Sequence, residues 1–494
     1  MELYDKKDPK SIERYGKGMI GKTFRQIWKE NAESGSGSQT LMERTETSRY
    51  AEHHSRKRYK GGMGNLVEEC YFKYKSNSDS NPDFPEAGVE LKVTPYKMTK
   101  KGMTAKERLI LTMINYGELV KESSFEESHV WQKSKLILLV WYLYQSGMAN
   151  LDFHIDFVNL FTPPPEDIEI IKEDYRKIQA KVRAGKAHEL SEGDTLYLGA
   201  ATKSSDSSKR TEQPYSDIKA KPRAFSYKNS YMNHILNCYI SQGIETYEPI
   251  VQKGEHFDDF EGLVISKIDA YRGKSVPELC QIFNIDITKK RPKNLESMLA
   301  FRMLGVKGNQ AEEFAKANVV VKTIRIKANG IIEQSMSFPI IDYQQLAEET
   351  WDDCTFGNYL RETRFFFVIY KKDNEGVLHL SGSQFWNIPE EDLEGDVRAV
   401  WQETHDIVKN SRLEIHVDAN GKIHNNLPKQ KDHPVSHVRP HGRDRKDTRP
   451  LPEGTHLLMD EKTRAYWPDD TRYVKQCFWL NKTYIKKQIK EENR

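Results

Sequence analysis

Three side chains between positions 83 and 92 have the types and the spacing of a metal-dependent hydrolytic centre. Asp83 follows a proline, and Glu90, Leu91 and Lys92 come shortly after it in a stretch that alternates like a β-strand. Because alternate residues of a strand share a face, Glu90 and Lys92 point the same way, while Leu91 points into the core. Carboxylate oxygens suit Mg²⁺, the Leu91 carbonyl is a candidate further ligand, and a lysine beside the ion can orient or deprotonate water. This pattern predicts phosphodiester hydrolysis.

Spacing alone leaves a second interpretation open. With charged residues making up 30% of the chain, about one Asp followed by Glu-x-Lys is expected by chance. A solvent-facing strand with a surface Glu90 and Lys92 explains the same letters about as well. The choice between the two interpretations therefore depends on the surrounding sequence.

The elements that must position these residues can be read from apolar periodicity. Residues 65–72 have the spacing of a helix that faces a core, and residues 89–94 alternate as a strand. The apolar run 136–144 predicts a fully buried strand, since it is about half the length of a membrane span. Polar composition predicts loops over 76–85, 204–214 and 418–452.

Composition bounds the class of protein. A chain of 494 residues at roughly 100–200 per domain suggests two to four domains. The net charge of +3 permits nucleic-acid binding without requiring it. Five scattered cysteines without a C-x-x-C pair argue against a zinc module or a disulfide framework. With no signal peptide at the N-terminus and no membrane span, we expect a protein of a reducing cytoplasm that has no membrane partner.

A faint internal repeat runs through the chain in a constant order. Residues 21–27 echo 273–279, 82–94 echo 312–324, 136–144 echo 365–370, and 192–198 echo 453–459. Phe225 and the residues after it echo Phe478 in the same way. The pattern predicts two α/β domains in tandem, residues 1–240 and 259–494, joined by a linker over 241–258.

Longer motifs around the candidate centre occur in a recognisable order. They read KGGMGNLVEECYF from Lys60, PDFPEAGVELKVTP from Pro82, SHVWQKSKLILLVW from Ser128, EGDTLYLGAATK from Glu192 and KPRAFSYK from Lys221. The chain resembles the MutH family, and most strongly the type II restriction endonucleases of the Sau-three-A type. The resemblance covers most of residues 15–235 and extends more diffusely into the second half. It implies two restriction-endonuclease-like domains, each a mixed sheet flanked by helices.

This resemblance implies a Mg²⁺-dependent endonuclease that cuts double-stranded DNA at GATC. Asp83 and Glu90 would bind the metal, and Lys92 would assist the water. Glu68 matches the family's additional acidic residue, with Glu69 as a competitor. Lys133 matches a second basic residue near the phosphate. A surface helix residue and a solvent charge before a strand are the alternative interpretations of Glu68 and Lys133.

Two loops match the family's DNA-reading segments. Lys60 and Gly61 match one, and the loop over 199–208 matches the other, with Lys203 as its polar contact. In MutH this second segment has Arg-Pro-Lys, whereas this chain has Gly-Ala-Ala at 199–201, so the identity of the major-groove contacts is open. Arg-Pro occurs instead in the second half, and Arg439 and His441 are candidate DNA contacts there; a solvated charged loop is the alternative.

The two halves of the repeat differ at one of the predicted metal-binding residues. Asp83 aligns with Glu313 and Lys92 with Lys322, but Glu90 aligns with Val320, which cannot bind a metal. The second domain is therefore predicted to be a silent effector that binds a second DNA site. We expect a dimer formed on DNA, and a cognate methyltransferase that acts on the same site without having to bind this chain.

Two other patterns are set aside. Residues 16–23 match a phosphate-binding loop, but the charged residues before them do not form the buried strand that such a loop requires. His433, His437 and His441 recur every four residues, but Pro434 and Pro440 break a helix there, which argues against zinc. The favoured function is a type II restriction endonuclease. Its rivals are a mismatch-repair nicking enzyme of the MutH kind and a catalytically silent DNA-binding module.

Overall fold

The computed structural model describes residues 3–33, 62–74, 81–100, 102–203, 208–241, 247–255, 257–288 and 291–493. The chain divides into two compact units. The first unit is Met1–Tyr247 with Ala315–Asn318, and the second is Glu248–Phe314 with Val319–Arg494. Within the described ranges, no helix is both long and apolar enough to cross a membrane.

The first unit is built on a four-stranded mixed sheet in the order β2-β1-β4-β5. Its strands are β1 (Glu90–Thr99), β2 (Gly102–Ala105), β4 (Ile137–Leu143) and β5 (Ile155–Phe161). β1 runs parallel to β4, and the other two pairs are antiparallel. β4 is the predicted apolar run, and its first five residues are fully buried, as an interior strand covered on both faces requires.

A second sheet of the first unit has the order β3-β9-β6. It consists of β3 (Leu109–Met113), β6 (Leu198–Thr202) and β9 (Arg223–Tyr227), and β7 (Thr211–Gln213) pairs with β8 (Ser216–Ala220) as a separate ladder. The helices of this half of the chain are Pro9–Gly16, Phe24–Glu33, Gly62–Leu66, Tyr116–Leu119, His129–Ser134, Pro165–Arg183 and Asn229–His234, with wider π-helical turns at Val67–Tyr71 and Ile235–Ile240.

A buried aspartate ties the longest helix of the first unit to the start of β6. Asp174, on the helix Pro165–Arg183, is fully buried, and its carboxylate accepts hydrogen bonds from the backbone N–H groups of Leu196, Tyr197 and Leu198 at 2.7, 2.6 and 2.9 Å. Such bonds satisfy a buried charge that would otherwise be costly. They fix the start of β6, and residues 199–202 of the predicted reading loop at 199–208 are strand, while 204–207 lie outside the described residues.

The second unit repeats this plan. One sheet has the order β10-β12-β13, and the other has the order β11-β19-β16. Its strands are β10 (Val319–Ile326), β11 (Met336–Ile340), β12 (Arg364–Lys372), β13 (Leu378–Trp386), β14 (Ile415–Val417), β15 (Ile423–Asn425), β16 (Ser436–Pro440), β17 (Thr448–Pro450), β18 (Arg472–Val474) and β19 (Gln476–Leu480).

The helices of the second half are mostly short. They are Phe260–Asp269, Val276–Ile282, Leu295–Met303, Glu312–Ala317, Tyr343–Glu348, Thr355–Glu362, Glu390–Asp392, Arg398–Lys409, Glu461–Tyr466 and Lys482–Gln488, with a π-helical turn at Leu393–Val397. Together with the two mixed sheets, they confirm the predicted α/β class with tandem domains.

Strand register gives the correspondence between the two units residue by residue. β5 and β13 each carry a one-residue bulge, at Asp156 opposite the step after Trp141 of β4 and at Ser381 opposite the step after Ile369 of β12. Trp141 therefore corresponds to Ile369, and Ile137 to Phe365. Glu90 lies opposite Ile137, and Val320 lies opposite Phe365. The predicted alignment of Glu90 with Val320 is the one that the strand pairing supports.

The structure corrects two expectations about the polar segments. Residues 418–452 are not a long exposed loop, because they contain β15, β16 and β17, and His437 and Val438 of β16 are buried against β19. The echo of 192–198 in 453–459 is also wrong. Because Phe225 corresponds to Phe478, Tyr227 corresponds to Leu480. Leu198 lies opposite Tyr227, and Ser436 lies opposite Leu480, so the start of β6 corresponds to the start of β16.

Two smaller differences concern local structure. The predicted loop over 204–214 includes β7, and the predicted helix over 65–72 widens into a π-helical turn at Val67–Tyr71. The set-aside motif at 16–23 follows the helix Pro9–Gly16, which Asp8 caps. A phosphate-binding loop follows a strand, so the structural context differs from the one that this motif needs.

Candidate active site

The first residue of β1 places a buried carboxylate between two lysines. Glu90 is 3% exposed, and its backbone N–H donates to the carbonyl of Leu136 at 3.0 Å. Its Oε1 lies 2.8 Å from Lys92 Nζ, and its Oε2 lies 3.0 Å from Lys133 Nζ. The two ammonium groups offset the cost of burying the carboxylate and hold it in one orientation.

Asp83 reaches the same strand from the turn before it. Its Oδ2 accepts a hydrogen bond of 2.8 Å from the N–H of Leu91, the residue between Glu90 and Lys92. Burial raises the pKa of Asp83, and the neighbouring Glu90 raises it further. Because Glu90 bonds to β4, the Leu91 N–H and carbonyl lie on the other side of β1, the side of Asp83.

Glu68 comes to the site from the π-helical turn Val67–Tyr71. Burial is the main cause that raises its pKa to about 7, and the carboxylates of Asp83 and Glu90 add to the effect. Lys92 acts in the opposite direction. Apart from the adjacent Glu69, the charges that act on Glu68 are therefore those of the site, which favours Glu68 over Glu69 for the acidic position. Such π-helical turns occur often at functional sites.

Lys133 is held by the helix His129–Ser134, whose N-terminus Ser128 caps. It is 8% exposed, and its ammonium also donates to the carbonyl of Asn81, in the turn that carries Asp83. The ring of His129 bonds to Thr112 at 2.9 Å and does not bond to Lys133. The helix thus delivers a cation to Glu90 and to the Asp83 turn at the same time.

The donor set suits Mg²⁺, although no metal group is arranged in advance. In the part of the chain that the structure describes, no three His, Cys, Asp or Glu side chains form a ready metal-binding cluster. Mg²⁺ commonly takes only one or two carboxylates and keeps its remaining positions for water and phosphate. Asp83, Glu90 and the Leu91 carbonyl fit this requirement. A bound cation would relieve the repulsion by which Asp83 and Glu90 add to the effect of burial on the pKa of Glu68.

We expect Glu68→Gln to stabilise the metal-free protein at pH 8 by about 1 kcal/mol, which corresponds to about 2–4 °C in Tm. The folded-state pKa is raised, so the native state holds the proton more tightly than the unfolded chain, and stability falls as pH rises from about 4.5 to about 7. At pH 5, near the lower end of this range, the gain should be much smaller. Differential scanning fluorimetry at the two pH values measures the effect.

The same variant should respond less to Mg²⁺, since an anion that interacts with the ion has been removed. Glu69→Gln is the matched control, with the same charge change at the adjacent position. Equal Tm changes for Glu68→Gln and Glu69→Gln at pH 8 would contradict the placement of Glu68 in the site.

One residue beside the carboxylates was not predicted from the sequence. The hydroxyl of Tyr74 is buried and has no hydrogen-bond partner among the described residues. Its ring packs edge-on against Phe84, and its N–H donates to the carbonyl of Glu68. Burial first, and then Asp83 and Glu68, raise the pKa of Tyr74 far above its usual value, so the hydroxyl remains a donor. No spacing pattern in the sequence predicts that Tyr74 lies at the site. Its place two residues after Phe72 indicates only that the side chain packs in the core.

The candidate DNA contacts fall in different places. Lys60 and Gly61 lie outside the described residues. Lys203 is exposed directly after β6, where its N–H donates to the carbonyl of Pro222. None of these three is therefore placed at the carboxylate cluster by the structure.

Arg439 and His441 lie at the corresponding end of β16 in the second unit, and both are exposed. The guanidinium of Arg439 stacks over the ring of Trp479 at 4.2 Å, and the His441 ring lies 5.4 Å from the same ring. By strand register, Arg439 corresponds to Ala201 and His441 to Lys203. Trp479 thus orders an arginine at a position where the first unit has Ala201.

In the second unit, the residues that correspond to the candidate catalytic residues make different contacts. Val320 replaces Glu90, so there is no carboxylate between the cations. The carboxylate of Glu313 accepts hydrogen bonds from the backbone N–H groups of Ile250 and Val251. Arg361, at the position of Lys133, pairs with Glu394 at 3.1 Å. These contacts are those of a site that is not arranged to hold a metal.

Comparison with known proteins gives two kinds of similarity. The family model of the DNA mismatch repair enzyme MutH matches residues 72–174, which include Asp83, Glu90, Lys92 and Lys133. The chain is 37% identical over 464 residues to the type II restriction enzyme Sau3AI of Staphylococcus aureus, covering 88% of this chain and 93% of that protein.

More distant relatives are DNA mismatch repair proteins MutH. The protein from Shewanella baltica (strain OS185) is 25% identical over 37% of this chain and 80% of its own length. The protein from Serratia proteamaculans (strain 568) is 26% identical over 40% of this chain and 86% of its own length. Similarity to MutH therefore covers about one unit, whereas similarity to Sau3AI covers nearly the whole chain.

Proposed function

Because the chain belongs to the family of type II restriction enzymes that includes Sau3AI, we propose that it hydrolyses double-stranded DNA at GATC sites with Mg²⁺, leaving 5′-phosphate and 3′-hydroxyl ends. The general activity, that of a site-specific deoxyribonuclease, follows from the family. The observation that supports the mechanism is the placement of Glu90 between Lys92 and Lys133, beside Asp83.

In this proposal Asp83, Glu90 and the Leu91 carbonyl hold the metal. When bound, Mg²⁺ supplies Lewis-acid stabilisation of the phosphate charge and a water of lowered pKa. The Glu90 oxygens that now pair with Lys92 and Lys133 are those that would serve the ion as ligands. The two ammonium groups then remain at the site, already positioned by β1 and by the helix His129–Ser134.

Each lysine has a distinct role. Lys92 shares the face of Glu90 on β1, so it orients the attacking water or accepts its proton. Lys133 is buried beside the Asp83 turn and neutralises charge on the scissile phosphate. Glu68, whose pKa is raised to about 7, accepts a proton near neutral pH or helps to hold the ion. These assignments rest on geometry and on the resemblance to the family.

We further propose that residues 1–240 form the catalytic domain and that residues 259–494, after a linker over 241–258, bind a second GATC site as an effector. The loss of the metal-binding Glu at Val320 and the Arg439–Trp479 stack support this division of roles. Two sites engaged by one chain raise the effective concentration of each for the other. We also propose that the protein works in the bacterial cytoplasm and forms a dimer on DNA. A methyltransferase would act on the same DNA sequence.

A MutH-like nicking enzyme is the alternative, and the extent of similarity argues against it. The MutH proteins match about one unit, and this chain has a second unit that shares the fold. A catalytically silent DNA-binding module is the alternative from another class. The retained Asp83, Glu90, Lys92 and Lys133 argue against that function.

We expect a plasmid with several GATC sites to be converted to linear fragments in Mg²⁺ and to remain intact in EDTA, because the carboxylates need a cation before phosphate can approach. Sequencing the fragment ends tests the site and the cut position, and a plasmid without GATC is the control. Nicked circles without linear fragments would favour the repair enzyme. An intact plasmid in Mg²⁺ would favour the silent module.

A further inference from the structure

The lysine of the silent unit that corresponds to Lys92 has kept its charge and lost its counter-ion. Lys322 is two residues after Val320 on β10, as Lys92 is two residues after Glu90 on β1. In the first unit, Lys92 and Lys133 both bond to Glu90. In the second unit, Arg361 pairs with Glu394, so Lys322 is the cation left at the corresponding position.

The surroundings of Lys322 contain no anion in the described part of the chain. Its ammonium makes one weak hydrogen bond, donated to the carbonyl of Ser337 at 3.4 Å, and lies 5.8 Å from the centre of the Phe338 ring. The side chain is partly buried, and burial lowers the pKa of Lys322. A partly buried cation with only a carbonyl and a ring beside it is under-satisfied, and an incoming anion would improve its environment.

The same part of the second unit carries the Arg439–Trp479 stack. Ser337, whose carbonyl accepts from Lys322, lies directly opposite Trp479 across the β11–β19 pair. Trp479 in turn holds the guanidinium of Arg439 at 4.2 Å. Lys322 and Arg439 are therefore both connected to the β11–β19 strand pair, Lys322 through a backbone carbonyl and Arg439 through the ring of Trp479.

We propose that Lys322 binds a backbone phosphate of the effector DNA without a metal ion, in the place where the first unit needs a metal to do so. This inference rests on the proposed effector function and adds the ligand and its metal independence. In the first unit, three carboxylates repel phosphate and Glu90 occupies both lysines until a cation is present. In the second unit, Val320 removes the competing carboxylate, so Lys322 is available to phosphate directly.

The test is a titration of the full chain with a short GATC duplex in EDTA at several salt concentrations. We expect Lys322→Gln to weaken binding about three- to tenfold and to lower the slope of log K against log salt by about one, the signature of one lost phosphate contact. Lys409→Gln, at an exposed lysine on a helix of the same unit, is the matched charge control and should leave affinity and slope unchanged.

A second variant tests the reason for metal independence. Val320→Glu restores the carboxylate that the first unit has at this place on the strand. Binding in EDTA should weaken because the introduced carboxylate pairs with Lys322, and Ca²⁺, used as a probe, should recover it. Circular dichroism checks that both variants fold; losing a partly buried, under-satisfied charge should not destabilise Lys322→Gln.

The results that overturn the inference are separate from those that overturn the effector function. Wild-type binding that requires Ca²⁺, or a Lys322→Gln variant with wild-type affinity and salt slope in EDTA, would overturn the role of Lys322. Failure of the effector function itself would appear as equal cleavage of DNA with one site and with two, whatever the EDTA titration gives.

Discussion

The Glu90→Gln variant should lose DNA cleavage by about a thousandfold or more in single-turnover assays with Mg²⁺. Glutamine keeps the size of the side chain but removes the anion that would hold the metal, and metal-ion catalysis contributes several kcal/mol to the transition state. The change also leaves Lys133, which is 8% exposed, without its counter-charge. DNA affinity in Ca²⁺ should change far less than the cleavage rate.

The matched control for this result is Glu86→Gln. Glu86 lies in the same turn between Asp83 and Glu90, is exposed, and pairs only at the surface with Lys7. It should cut at the wild-type rate. A Glu90→Gln protein that is folded and cuts normally would contradict the assignment, as would equal losses in the two variants.

DNA with two GATC sites should be cleaved about tenfold or more faster than DNA with one site at nanomolar concentrations, because the second site occupies the effector unit intramolecularly. Arg439→Ala should reduce this ratio towards one while leaving the rate on one-site DNA nearly unchanged. Removing the guanidinium takes away the cation that Trp479 orders at the end of β16.

Arg398→Ala provides the comparison for this second result. Arg398 is an exposed arginine on a helix of the same unit, and it pairs with Glu394 one helical turn away. Its loss should preserve the two-site advantage. If one-site and two-site DNA are cut at the same rate by the wild-type chain, the second unit is not an effector.

The centre of the candidate site could be predicted from the sequence because its geometry is local. Strand alternation alone places Glu90 and Lys92 on one face, and the turn that carries Asp83 is only a few residues away. Lys133 and Glu68 reach the site across the fold, so no spacing rule could find them, and the resemblance to a family was needed. Tyr74 was not found by either route, because only packing reveals that its hydroxyl is buried beside the carboxylates.

The sheets illustrate a different limit. The predicted strand over 136–144 is apolar throughout, so its burial could be read directly. β16 has the polar sequence SHVRP, and it is a strand because it pairs with β19, which lies some 40 residues later. Composition therefore predicted a loop. The register between β10 and β12 could not be derived from the amino-acid sequence of these strands either. Only the alignment of the two repeats suggested which residues correspond.

The buried Asp174 that anchors β6 has a counterpart in the second unit. Asp396, in the turn Leu393–Val397, accepts hydrogen bonds from the N–H groups of Val435 and Ser436 at the start of β16, and Pro434 has no third N–H to give. Both units therefore use an aspartate to hold the start of the corresponding strand, β6 or β16, whereas only the first unit has a carboxylate at the position of Glu90 and Val320. A change that releases either aspartate should loosen the segment after that strand without altering the carboxylates on β1.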